Sequence, residues 1–475
     1  MIKKYYITAA IPYVNAAPHI GHALEFVQAD TVARYHRLLG DDTLLLSGGD
    51  ENALKNVQAA EKEGKDVQNF VNENTEKFLE LTKKLNCNFD IWQKGSNQKT
   101  HFPSSQKLWE LCDKAGDIYK KSYGGLYCVG CETFYTKDEL NEQGECFEHP
   151  GKKLDNVEEE NYFFRLSKYQ KQLIQLIESD SLKINPLERK NEVLSFLKEK
   201  LEDISISRTN ERAKNWGVPV PNDSSQRMYV WFDALNIYQS GTGFGWDEKK
   251  YKKYWPADLH VIGKGITRFH AVYWPAFLLS AGLKTPKELF VHGYFTVNGQ
   301  KMSKTLGNVI DPFAIIEKYG ADALRYYLLA KFSPYTDGDF SEEKLNEVYN
   351  GELANGLGNL VARTSKLCEL NGLNIKSGVY SKIDNEYIES RLNTYRFDFA
   401  LTEIWEKIAI SDTLINKHEL WKETKNKIDI VTEVVKNIRE IAVNLKPFLP
   451  ETAEKIEKQF KGPKIISSSP LFPRI

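Results

Sequence analysis

The sequence predicts an α/β protein: a doubly wound, Rossmann-type parallel sheet, split by a metal-bearing insertion and followed by an α-helical bundle. Three observations carry this. The first fifty residues alternate strand-like and helical patterns. A knot of cysteines and glycines then interrupts that pattern, and from about residue 342 the apolar spacing is helical almost to the end.

The elements follow in order. Residues 4–14 (KYYITAAIPYV) are β-branched and aromatic and read as a buried strand ended by Pro12. A polar loop, Asn15 to Pro18, leads into a helix expected from Gly21 to Leu39, with Phe26, Ala29 and Ala33 on one side and Gly40 at the stop. TLLLSGGD (43–50) is strand-like again, which completes the opening unit of a nucleotide-binding sheet. Residues 66–122 read as mainly helical. Tyr123 to about Asn161, with its acidic run Glu158 to Glu160, reads as an insertion. Strand-like runs return at MYVWFDAL (228–235) and LHVIG (259–263), so the sheet is expected to resume there. LFVHGYFTV (289–297) precedes a loop, Asn298 to Asn308, and LGNLVARTSKLCEL and KIDIVTEVVKNIREIAVNLKPFLP belong to the bundle. The expected division is 1–115 with 226–290 for the sheet domain, 116–225 for the insertion, 291–347 for a linker domain and 348–475 for the bundle.

Composition bounds the function. At 475 residues the chain is too long for one core, and 41% hydrophobic with 27% charged residues marks a globular protein. With 64 basic and 65 acidic side chains it is no polybasic coat protein, though a basic face toward RNA remains open. No stretch approaches the ~18 apolar residues of a membrane span. The N-terminal apolar run breaks at Pro12 and Asn15, so no signal peptide is expected and the expected location is the cytoplasm. Of six cysteines, three cluster with metal-ligand spacing and three are scattered, which suits a reducing compartment.

Three constellations carry chemistry. Pro18-His19-Ile20-Gly21-His22 lies at a strand-to-helix turn, where free N–H groups and the helix dipole attract phosphate and Gly21 admits a close ligand. His19 and His22 can add hydrogen bonds to phosphoryl oxygens; alone, they can equally cap the helix. In Gly299-Gln300-Lys301-Met302-Ser303-Lys304-Thr305-Leu306-Gly307, two mobile ammonium groups bracket Ser303, an arrangement suited to a leaving pyrophosphate. Cys128-x-x-Cys131 and Cys146-x-x-His149 form two knuckles able to close a tetrahedral Cys3His site, a donor set that selects one structural zinc.

PHIGH and KMSKT together resemble the two signature motifs of class I aminoacyl-tRNA synthetases. The segments AIPYVNAAPHIGHA, GGLYCVGCETFY, VWFDAL, RFHAVYWPAFLLSAGL, VHGYFTVNGQKMSK, LGNLVAR and PFLPETAEKI are similar to the methionyl-tRNA synthetase branch over nearly the whole chain. The resemblance implies L-methionine, ATP with magnesium, and tRNA(Met) as partners. It implies ATP contacts from His19, Gly21, His22, Gly263, Lys264, Lys301, Ser303 and Lys304. It implies a methionine pocket of Ile11, Tyr13, Trp231, Ala234, Leu235, Tyr238, Ile266, His270 and Trp274, with Asp50 for the substrate ammonium group. Arg208, in SISRT, matches an arginine of the active-site region and is expected to be catalytic. Asn359, Arg363 and Trp421 match the anticodon readers, which can stack an unpaired base and bond its edge. Trp421 stands in a shortened segment without the usual proline, where ordinary packing is nearly as good a reading.

Three departures from the family pattern bear on the site. Asn52 and Ala53 replace a histidine and a glycine, Gly265 replaces an aspartate, and Thr305 replaces a serine. The chain ends at LFPRI with no dimerising appendage, so a monomer is expected. Two alternatives stay open: another class I amino-acid specificity, and a tRNA-binding paralogue impaired in adenylation.

Overall fold

The protein is described by a computed structural model covering residues 3–130, 133–135, 139–297, 299–302, 307–422 and 426–475. Its centre is a six-stranded sheet, parallel throughout, in the order Ile91–Lys94, Asp42–Gly49, Lys4–Ala9, Leu259–Gly263, Glu288–His292, Lys183–Asn185. Strands covered on both faces bury their side chains on both sides, and Tyr6–Ala9 and Leu259–Gly263 do so; their polar members, Thr8 and His260, satisfy each other across the ladder at 2.6 Å. The first strand ends at Ala9, earlier than the sequence pattern suggests. The helix Ile20–Leu38 lies within one residue of expectation; Gly40, at φ 86°, takes the left-handed turn beyond its end.

Three segments differ from the sequence reading. Ile91–Lys94, inside the stretch read as helical, is an edge strand between the helices Val67–Lys84 and His101–Lys114. Four residues with one buried side chain carry too little periodicity to reveal it. MYVWFDAL is no strand of the central sheet. Asp223–Met228 pairs in a small antiparallel sheet, and Val230–Ala234 turns into a short helix that buries every side chain. A helix buried all round and a buried strand share the same composition. Finally, Lys183–Asn185, within the stretch read as insertion, returns to the central sheet as its edge strand.

The insertion carries a four-stranded sheet ordered Thr133–Tyr135, Ile118–Cys128, Asp155–Phe164, Ile204–Ser205. LFVHGYFTV breaks at Gly293, where a Cβ would lie 2.1 Å from the Thr336 carbonyl oxygen. Phe295–Val297 therefore joins a separate sheet with Gln300–Lys301 and Gly338–Phe340. The C-terminal helices Asn359–Leu370, Glu386–Asn393, Phe397–Lys417, Lys427–Leu445 and Pro450–Phe460 form the expected bundle.

Arg325 links the two halves. Its guanidinium is fully buried and pairs at 2.8 Å with the equally buried Asp30 of the Ile20–Leu38 helix. It also donates to the carbonyls of Leu85, Pro447 and Phe448, at 3.3, 3.1 and 2.6 Å. Among the described residues no helix is long and apolar enough to cross a membrane.

Candidate active site

His19 is the N-cap of the Ile20–Leu38 helix, and its Nδ1 accepts from the Gly21 N–H at 3.1 Å. His22, at the third helical position, returns the favour: its Nδ1 accepts from the His19 N–H at 3.1 Å. This is a capping box built from two imidazoles, 3.9 Å apart between ring centroids. A ring nitrogen that accepts from a backbone N–H carries no proton, so a neutral imidazole here bears its hydrogen on Nε2. Burial and the neighbouring His19 hold His22 well below the usual imidazole range, so it is neutral and presents one Nε2–H donor.

The chain on either side of the second motif's undescribed residues comes up to the first motif. Ile20 N–H, at the helix start, donates to the Ile310 carbonyl at 3.2 Å. A Cβ on Gly21 would lie 3.7 Å from the Met302 methyl and 2.9 Å from the His19 ring, so the glycine fits this close approach. Lys301 pairs through its backbone with Thr296; its side chain, and Ser303 and Lys304 entirely, lie outside the described residues. Gly263 ends a central strand beside this region. Lys264 is held by Asp337 at 2.6 Å.

The apolar set gathers at the same end of the sheet. Trp231, Ala234, Leu235, Tyr238 and Trp274 are buried in one cluster, with Ile11, Tyr13 and Ile266 packed against it. Tyr13 meets Trp231 edge-on at 6.4 Å, and its backbone bridges to Asp50. His270 is pushed down to about 4 by burial. Its Nδ1–H donates to the Ile266 carbonyl at 2.9 Å, which leaves Nε2 to accept from the Tyr238 hydroxyl at 2.8 Å. Arg208 sits elsewhere, between the rings of Tyr127 and Tyr229, and lines a cavity of about 360 Å³ with Arg268 and Tyr273.

Several residues of this region carry no sequence signal. Phe269 stacks on Trp231 at 3.7 Å with the rings 5° from parallel. Glu25 accepts from Ala10 N–H at 2.8 Å and meets His292 at 3.0 Å. Buried Asp233 gathers His101 at 2.6 Å, Ser105 at 2.9 Å and Asn52 at 2.6 Å. Asn52, one of the departures, is thus a donor to a carboxylate over a hundred residues away in the chain. At Gly265, another departure, the N–H donates to the Tyr294 hydroxyl at 2.7 Å, and a Cβ there would meet that oxygen at 2.4 Å.

In the insertion, Cys128, Cys146 and His149 converge. The two sulfurs are 3.3 Å apart, and they stand 3.8 and 3.6 Å from His149 Nδ1. Donors about 2.3 Å (sulfur) and 2.0 Å (nitrogen) from one tetrahedral zinc would be spaced similarly. Cys131 lies outside the described residues. In the bundle, Arg363 and Trp421 line one cavity of about 580 Å³, with the guanidinium 6.0 Å from the indole ring. Asp412 and Asn416 each hold Arg363 at 2.7 Å. Asn359 is exposed one turn earlier on the same helix.

The family model described as "tRNA synthetases class I (M)" matches residues 5–365. This chain belongs to the methionyl branch of the class I tRNA synthetases. It is similar to the methionine–tRNA ligase of Thermotoga maritima, at 40% identity over 99% of this chain and 80% of that protein. It is likewise 40% identical to the Brucella suis enzyme of that name, over 96% of this chain and 91% of that protein. Among solved structures, the Mycobacterium tuberculosis methionyl-tRNA synthetase in complex with methionyl-adenylate matches with a TM-score of 0.91 at 35% identity, covering 100% of both chains.

Two expected results follow from this synthetase's site. His270 has a folded pKa below its unfolded value near 6.5, so its contribution to stability is complete above about pH 6.5. That contribution shrinks as pH falls toward 4, by about 3 kcal/mol in all. Urea unfolding across pH 4–8 checks this, and His270→Asn should remove its share of the slope, leaving that of the buried His22, His36 and His260. Trp421 is 56% exposed, with the Arg363 guanidinium 6.0 Å from its ring. Trp421→Ala should weaken binding of a tRNA(Met) anticodon stem-loop by about 1–3 kcal/mol, with methionine activation untouched. Unchanged affinity would return Trp421 to an ordinary surface role.

Proposed function

We propose that this chain joins L-methionine to tRNA in two steps, using the residues assembled above. The methionine carboxylate attacks the α-phosphorus of ATP, the α–β bond breaks and pyrophosphate leaves; the adenylate carbonyl then accepts the 2′-hydroxyl of the terminal ribose and AMP departs. The supporting observation is the full-length likeness to a synthetase holding methionyl-adenylate.

In this reading no protein atom becomes a nucleophile. His19 and His22 present Nε2–H groups to the nucleotide phosphates, and Lys301 and Lys304 follow the leaving pyrophosphate. Magnesium carried in with ATP would supply neutralising charge at the phosphates. Tyr238, His270 and the Trp231 and Trp274 rings enclose the thioether, a polarizable group suited to aromatic walls. Asp50 receives the ammonium group, and Arg208 orients the acceptor end from the insertion side. Arg363, Asn359 and Trp421 read the anticodon. The donor chemistry and spacing of Cys128, Cys146 and His149, completed by Cys131, fit a structural zinc that fixes the knuckle. ATP and tRNA as substrates support a cytoplasmic activity.

The test is amino-acid-dependent ATP–pyrophosphate exchange with methionine, leucine, valine, isoleucine and cysteine. Exchange with methionine alone supports the reading, including tolerance of Asn52, Ala53 and Gly265. Exchange with another amino acid overturns the pocket assignment. Absence of exchange from a folded preparation overturns the activity.

A further inference from the structure

We propose that Lys55 is a positioning residue that ties the metal knuckle to the wall of the methionine pocket, so that metal retention and methionine binding are thermodynamically linked. This rests on the methionine-pocket reading above and adds a regulator to it. Lys55 is the second residue of the helix Leu54–Lys62, immediately after the Asp50–Ala53 segment. A lysine in a first turn faces the positive end of the helix dipole, so local helix energetics do not account for it. Its tertiary contacts do. The half-buried ammonium group donates to the Gly130 carbonyl at 3.0 Å and lies 3.4 Å from the centroid of the Tyr13 ring. One charge thus serves a carbonyl within the Cys128–Cys131 knuckle and an aromatic face of the methionine pocket.

Both ends of this contact are constrained. A Cβ on Gly130 would lie 2.6 Å from the His149 ring, so the backbone at Gly130 is seated directly against a metal-ligand side chain. Where His149 goes, the Gly130 carbonyl follows. At the other end, Tyr13 meets Trp231 edge-on, and its backbone bridges to Asp50, which the reading above assigns to the substrate ammonium group. The series His149, Gly130, Lys55, Tyr13, Trp231 is a continuous run of contacts from the knuckle to the pocket. A cation held over a ring loses much of its attraction when its other partner withdraws and water reaches it. Gathering the four ligands therefore favours the arrangement of Tyr13 that borders the pocket, and filling the pocket favours the gathered knuckle.

The experiment uses the full chain. Methionine affinity is measured by tryptophan fluorescence on zinc-loaded and chelator-stripped protein, and zinc affinity by competition with a chromogenic chelator, with and without methionine. Wild type should bind methionine on the order of tenfold more weakly when stripped, and methionine should raise zinc affinity by the same factor. Lys55→Met, which keeps the aliphatic stem, should abolish both effects. It should raise the methionine KM in pyrophosphate exchange while leaving kcat and the ATP KM in place. Lys55→Arg, which can still donate and stack, should restore the linkage. Indifference of wild-type zinc affinity to methionine, failure to bind zinc stoichiometrically, or linkage that survives in Lys55→Met would each overturn the proposal. Zinc-loaded wild type that neither binds methionine nor exchanges pyrophosphate would instead overturn the functional reading, and this proposal with it.

Discussion

His22→Glu should abolish methionine activation while leaving the fold intact. Glutamate is a natural partner at the third helical position of a capping box, so its carboxylate can accept the His19 N–H that His22 Nδ1 now takes. The helix start is preserved. What changes, in the proposed reading, is the group offered to the phosphates, from a neutral Nε2–H donor to an anion. Losing one aimed donor costs roughly 10²–10³ in rate, and the added repulsion increases the loss. His22→Gln separates the two roles: its amide oxygen can cap while its NH₂ still donates, so part of the rate should survive. His22→Ala loses both, with about 1 kcal/mol of helix stability. Pyrophosphate exchange and thermal melting on the three variants give the answer. Rates that track melting temperature across the set would mean His22 only caps. Rates ordered Gln, then Ala, then Glu, with Ala the least stable, would establish the phosphate role.

Arg325→Met should destabilise the whole protein by about 3–5 kcal/mol, with no contact to any substrate. The substitution keeps much of the side-chain volume but takes one partner from the buried Asp30 carboxylate and the donor from the carbonyls of Leu85, Pro447 and Phe448. Asp30 retains Arg34 at 2.7 Å and the Asn88 N–H at 2.8 Å, so it is not left wholly without partners. The carbonyls at 447–448 belong to the turn between two bundle helices. The loss should therefore appear as looser docking of the bundle on the sheet domain as well as a lower urea midpoint. Limited proteolysis near residues 445–450 would detect that loosening. An unchanged midpoint in Arg325→Met would show that water or rearranged side chains satisfy the stranded groups.

The parts of the molecule legible in sequence are those whose physics is local. The Lys4–Ala9, Ile20–Leu38 and Asp42–Gly49 unit announces itself by period, and the Cys128 and Cys146 knuckles by spacing. Both motif loops were readable because their residue types are unusual together, although the hydrogen bond from Ile20 to Ile310 that joins them was not. What stayed hidden depends on distant partners. Ile91–Lys94 and Lys183–Asn185 are strands only because a neighbouring strand supplies the ladder. Asp233 looks like a lone acid in an apolar run until folding delivers His101, Ser105 and Asn52 to it. The same holds for Trp421: its segment departs from the family pattern, yet the cavity it shares with Arg363 is present.

The return of Lys183–Asn185 to the central sheet has a consequence for anyone trimming this enzyme. Excising 116–225 as though it were a detachable module would strip Glu288–His292 of one of its two ladder partners, leaving only Leu259–Gly263. That would expose a largely buried edge, rich in Leu, Phe and Val, whose freed backbone groups can pair with another chain. Lys183–Asn185 covers that edge of the sheet, so a minimal version of the protein should keep it.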